Sequence, residues 1–260
     1  MVSLLSRQHP GPVVLVKLGI ALALAGLLLA CESAETPTVL RPAPPTAMTI
    51  EQWRDFLLAW SREALELVAQ AQALDPEYAD HSPLLQRALS RGTLVFPGAE
   101  SEVIAAAETR LGTALPPSYK RFLQASNGFI IVALDVDDAL LWPAESLAWL
   151  QDGAPDFVDA WRHVGWARDE DYFNYGPDQD VVHIRGDYMP HLLQLSELVE
   201  AAVVLLNPKV VSPEGEWEGW DMGNAFPGAH RYQNFEQLMA GLRQRTLANL
   251  RDALDFLGRP

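Results

Sequence analysis

The chain has 260 residues, 19 Lys+Arg against 34 Asp+Glu, and a formal charge of −15. So acidic a body is a poor match for the nucleic-acid backbone or for an anionic membrane surface, and its single cysteine excludes an internal disulfide. Eight tryptophans and 49% hydrophobic residues are ample for a sizeable core, in a length that suits one domain or one domain with a small addition.

The chain opens with Arg7 and Lys17, followed by an apolar run from Leu18 to Ala30 that ends at Cys31. That is the layout of a secretory signal. The run is too short to remain as a membrane span, which needs about 20 residues. Leu28-Leu29-Ala30-Cys31 resembles the lipobox of bacterial lipoproteins. The resemblance implies cleavage after residue 30, acylation of Cys31, and membrane attachment through the lipid alone. Removing residues 1–30 takes away two bases and no acids, leaving 17 Lys+Arg against 34 Asp+Glu and a formal charge of −17. Glu32, a non-Asp residue after the cysteine, implies sorting to the outer membrane in a Gram-negative host.

Residues 31–48 carry four prolines and no apolar period, and read as an extended tether. Thr49 is placed to cap a helix in which Trp53, Phe56, Leu57, Trp60, Ala64, Leu67 and Val68 recur every three or four residues, until Asp75-Pro76 breaks it. Ser82–Ser90 reads as a short helix. Residues 49–95 thus form a helical N-terminal part of a domain over 49–260. From Ser101 a further helix carries Val103, Ala107 and Leu111 on one face and ends at Gly112. Pro116-Pro117 opens the next, with Tyr119, Phe122 and Leu123 as its stripe. Asn127-Gly128 then turns the chain into a buried strand at Phe129–Leu134.

Further on, strands are predicted at Asp180–Arg185, His191–Leu195 and Ala202–Leu206. A hairpin joins Val210–Val211 to Glu216–Trp220 around Ser212-Pro213-Glu214-Gly215. Asn234, with Gln237 as a capping-box partner, starts a long C-terminal helix that takes in 246–260. Helices at both ends of a mostly antiparallel sheet make an α+β domain.

Phe96-Pro97-Gly98, Leu111-Gly112, Leu115-Pro116, Tyr119, Phe122-Leu123 and Ser126-Asn127-Gly128 resemble the opening of the SUKH superfamily, the Smi/Knr-type domains named for a yeast cell-wall synthesis regulator. Tyr175-Gly176-Pro177, Leu205-Leu206-Asn207-Pro208, Gly215-Glu216-Trp217-Glu218 and His230-Arg231-Tyr232-Gln233-Asn234-Phe235 continue the resemblance, which covers roughly residues 50–245. Glu200-Ala201-Ala202 stands where many relatives carry a glycine turn. The resemblance implies a non-enzymatic binding module. Bacterial members include immunity proteins of toxin systems, and the yeast relative makes an envelope scaffold or cell-wall regulator the alternative.

The residues read alone agree. No phosphate loop or Gly-x-Ser-x-Gly elbow is present. His183, His191 and Asp187 lack a compact metal-ligand spacing. The acids of 169–171, with Asp178 and Asp180, lack a glycine-hinged calcium loop. No cofactor is expected. Glu216 and Glu218 lie two apart, so on a strand they face the same side, with no second carboxylate placed across a cleft for glycoside hydrolysis. Trp142, Trp149, Trp161, Trp166, Trp217 and Trp220 sit among acids, as aromatic anchors and steering charges do at protein interfaces. Asp152, Trp166, Asp169, Glu170, Glu216 and Glu218 are therefore expected to line a face that captures a protein partner, such as a basic toxin domain.

Overall fold

The computed structural model of the chain describes residues 38–41, 48–133, 138–223 and 226–259. The predicted signal, Cys31 and most of the tether lie outside the described residues. A two-residue strand, β1 (Val39–Leu40), precedes the first helix, α1 (Ile50–Leu74). Thr49 Oγ1 accepts the Gln52 N–H at 3.3 Å while Gln52 Oε1 accepts the Thr49 N–H at 2.8 Å, so two helix-end donors are satisfied reciprocally. Trp53, Leu57, Trp60, Ala64 and Val68 form the buried face, and Asp75 ends the helix.

Helix α2 (Pro83–Arg91) is capped by Ser82 and ends at Gly92; α3 (Ser101–Leu111) ends at Gly112; α4 is Pro117–Ala125. Strands β2 (Phe129–Ile131) and β3 (Ala139–Leu141) form a small antiparallel sheet. Short pieces follow: β4 (Ala148–Trp149), α5 (Leu150–Gly153), α6 (Pro155–Trp161), α7 (Asp169–Tyr172), a 3₁₀ stretch at Gly186–His191, and β5 (Leu193–Gln194). The chain closes with β6 (Val203–Val211), β7 (Trp217–Met222), β8 (Ala229–Tyr232) and α8 (Phe235–Leu257).

The main sheet runs β4-β5-β6-β7-β8, all antiparallel, with β1 added parallel to the end of β6. The α+β expectation holds. Val203–Leu206 is apolar at every position because both faces of β6 are covered. Val204 and Leu206 face a core shared with α1, α4 and α8, whereas Val203 and Leu205 face a second core with Tyr172, Ile184, Tyr188 and Trp220. The helical part over 49–95 packs into the first core: the Trp53 ring lies 5.7 Å from those of both Phe122 and Phe235. Glu63, on α1, pairs with Arg243 and Arg251 on α8. At the sheet edge, the Gln179 amide takes the place of a neighbouring strand, accepting the Arg231 N–H at 2.7 Å and donating to the Arg231 carbonyl at 2.8 Å.

Three expectations are corrected. Asp180–Arg185 is not a strand. Asp180 Oδ1 accepts the Val182 N–H and the Asp180 carbonyl accepts the His183 N–H, so local bonds stand in for most of a ladder; Val181 gives only its carbonyl, to the Ala229 N–H, and Arg185 makes the one bridge, to Trp166. The stretches Ala202–Leu206 and Val210–Val211 are one strand. Its register against β7 jumps between Asn207 and Val211, next to Pro208, which has no N–H to give. At the start of α8 Asn234 Oδ1 does accept the Gln237 N–H at 2.9 Å, but Gln237 Oε1 takes the N–H of Gln233, one residue before the cap.

Candidate functional site

The second core supports a column of charges and rings that rises from buried Glu218 to the surface at Trp166. Asn207 and Glu218 stand opposite each other on β6 and β7, just before the register jump. Glu218 Oε2 accepts from Asn207 Nδ2 at 2.8 Å, Trp220 Nε1 at 2.7 Å and the Tyr172 hydroxyl at 2.6 Å; Oε1 accepts from the Tyr175 hydroxyl at 2.8 Å. Arg231 Nη1 lies 3.8 Å from Oε1 and donates to the Tyr172 carbonyl, with its guanidinium 4.2 Å from the Tyr172 ring centroid. Glu218 and Arg231 are both fully buried side chains, so each charge depends on the other and on these hydrogen bonds. Burial first, and the Glu218 charge second, push the hydroxyls of Tyr172 and Tyr175 well above the usual phenol range. Tyr175, Asn207, Glu218 and Arg231 come from four separate blocks of the family resemblance and meet here.

Arg185 forms the next layer. Its Nε donates to the Ala167 carbonyl at 3.1 Å, Nη1 to the Tyr188 hydroxyl at 3.1 Å, and Nη2 to Asp169 Oδ1. The rings of Tyr172, Phe173 and Trp166 surround the guanidinium at 4.6, 5.3 and 5.7 Å. The hydrogen bond from Arg185, with the charges of Arg185 and Arg41 behind it, holds the Asp169 carboxyl below its usual range. Two glycines let the segments meet. Gly165 adopts φ 67°, and a Cβ on Gly186 would lie 2.2 Å from the Trp161 carbonyl oxygen.

Trp166 closes the column and is 76% exposed. Arg41 reaches the same place from the tether: Nη2 lies 3.2 Å from Asp169 Oδ2, and the guanidinium sits 3.7 Å from the Phe173 ring centroid. Arg168 pairs with Glu170 and Asp171, so the acidic run at 169–171 is partly neutralised.

Of the six expected interface residues, the structure brings Trp166, Asp169 and Glu170 to the surface on one segment, and Asp152 is exposed on α5. Glu216 and Glu218 are corrected: at 1% and 0% exposure they rim no face. Nor do they share a side. Glu216 lies before β7, where strand alternation does not hold, and turns to the N-terminus of α4. There Oε1 accepts the Ser118 N–H at 2.9 Å and Oε2 the Ser118 hydroxyl. It supplies a cap to a helix whose own N-cap, Pro116, has no side-chain donor or acceptor. Of the other tryptophans in the expected band, Trp217 and Trp220 are core and Trp142, Trp149 and Trp161 are half-buried. Arg41, Phe173 and Arg185 escaped the sequence reading. Arg41 alone carried a signal, as the sole basic residue between Lys17 and Arg54.

Among the described residues no three His, Cys, Asp or Glu side chains gather as metal ligands, and no helix is long and apolar enough to cross a membrane. The arrangement presents an exposed indole beside a carboxylate and an aromatic ring that Arg41 covers, all on a braced base. Residues 98–240 match the model of the SMI1 / KNR4 family (SUKH-1). No curated protein gives a significant match to the chain.

Proposed function

The chain belongs to the SMI1 / KNR4 family (SUKH-1), and on that premise we propose that it is a non-enzymatic, lipid-anchored module that binds a protein partner, as an immunity protein that captures and neutralises a toxin at the cell envelope. The observation that carries this reading is Trp166, 76% exposed yet seated over a braced Arg185 beside Asp169. A large apolar ring held in solvent by a rigid base suits a central interface anchor, because its burial releases apolar surface at little cost in ordering. The acidic chain steers a basic partner toward it. Acylation of Cys31 would hold the domain at the membrane, where the short tether over residues 31–48 raises its effective concentration for a partner acting there.

Crosslinked capture from native cells, with mass spectrometry of what is retained, tests the proposal. A single toxin-like domain retained by the parent chain and lost by Trp166→Ala is the expected result. Since the ring touches solvent, the variant keeps its far-UV dichroism and melting temperature. Recovery of wall-synthesis or outer-membrane proteins instead would replace immunity with the scaffold role. Equal capture by the Trp166→Ala variant would remove this face as the interface.

A further inference from the structure

Asp169 has two carboxylate oxygens and two guanidinium partners. Oδ1 belongs to Arg185, which is buried at 6% exposure and fixed by three hydrogen bonds. Oδ2 belongs to Arg41, which comes from a far less secure element. Strand β1 has two residues, Leu40 is 71% exposed, and the segment is held to the sheet by its pairing with Val210–Val211 and by the Arg41 N–H bond to the Val211 carbonyl at 2.8 Å. The Arg41 guanidinium nonetheless meets a complete receptor: a carboxylate oxygen on one side and the Phe173 face at 3.7 Å on the other. A lysine ammonium would meet the same charge but could not lie flat on the ring while keeping a planar hydrogen-bonding edge. The receptor adjoins exposed Trp166, since Arg185 touches Asp169, Phe173 and Trp166 together.

We propose that Asp169 and Phe173 form a notch for an arginine side chain of a protein partner, and that Arg41 fills this notch in cis. Docking of residues 38–41 and binding of the partner arginine then exclude each other. The inference rests on the reading of the Trp166 face as the interface and gives that face its chemistry: an arginine for the notch beside an apolar surface for the indole. It also makes partner capture release the end of the tether from β6. The captured domain thereby gains reach from its anchor, and the unoccupied one keeps its arginine site covered.

The test uses the intact chain with fluorescently labelled nona-arginine and nona-lysine peptides of equal charge. Removing the cis competitor in Arg41→Ala tightens nona-arginine binding about tenfold, the scale of one half-exposed ion pair plus one ring contact. Nona-lysine gains little. Adding Asp169→Asn or Phe173→Leu to that variant cancels the gain, and two variants guard against one that fails to fold. In the parent chain nona-arginine speeds amide exchange at Arg41. Equal affinity of parent and Arg41→Ala, or equal gains for the two peptides, overturns the notch. The broader reading fails separately: loss of the notch effect with capture still dependent on Trp166 leaves the interface standing, and the reverse leaves an arginine notch without it.

Discussion

At the scale of single residues, the two glutamates of the Glu216-Trp217-Glu218 block show how burial reverses a surface reading. An alternating acid-aromatic-acid string suggests a charged edge, yet both carboxylates are consumed as internal acceptors. Glu218→Gln keeps the shape but replaces one acceptor oxygen with a donor in a site built from donors, and it strips Arg231 of its charge partner. Breaking a buried pair in this way costs about 3 kcal/mol or more. Urea unfolding should show that loss as a lower midpoint with an unchanged slope; a change below about 0.5 kcal/mol would mean the cluster tolerates neutralisation and is not the brace described here.

Among elements, the turn joining the bridge Val199–Ala202 carries a stored cost. Glu200 and Ala201 adopt φ values of 49° and 71°, in the left-handed region where a Cβ crowds the backbone. The N–H and carbonyl groups of Val199 and Ala202 exchange two hydrogen bonds across it, at 3.1 and 2.8 Å, and so hold it closed. Ala201→Gly therefore stabilises the protein by about 0.5–1 kcal/mol, the relief of strain exceeding the added freedom of the unfolded chain. A thermal scan that shows a fall in melting temperature would refute that balance. The helix ends tell the opposite story: Thr49 and Gly112 do what their sequence positions announce, because a cap needs only neighbours within a few residues.

For the whole molecule, buried and half-buried tyrosines are expected to set the alkaline limit. Burial, with the Asp221 charge behind it, pushes Tyr232 up to about 12, and burial also raises Tyr119, Tyr172 and Tyr175. Each folded-state value lies above the unfolded value of 10.0. The unfolded chain thus loses these protons first. Stability is fully present below pH 10 and drains away as pH rises through the folded-state values. Tyr232 alone removes roughly 2–3 kcal/mol between pH 10 and 12. Phenolate absorbance should appear late and together with the loss of dichroism; early phenolate signal from these tyrosines in a folded protein would contradict their burial. Attachment is tested at the same scale: Cys31→Ser moves the protein from the membrane pellet to the soluble fraction, and retention in the pellet would rule out the lipid anchor.

What the sequence determined by itself was local and periodic. It placed the capped helices, the hairpin around Ser212–Gly215, the α+β class and the family resemblance, since each depends on spacing within one element or on strings that can be matched. Trp166 and Asp169 could be named as surface candidates, but not separated from Glu216 and Glu218, because all four look alike as acids and aromatics in a polar stretch. Only the tertiary structure decided which faced inward. The fates of Glu218, Arg185 and Arg41 depend on partners 46, 16 and 128 residues away, and whether a charge is buried is settled by whether such distant groups arrive to satisfy it.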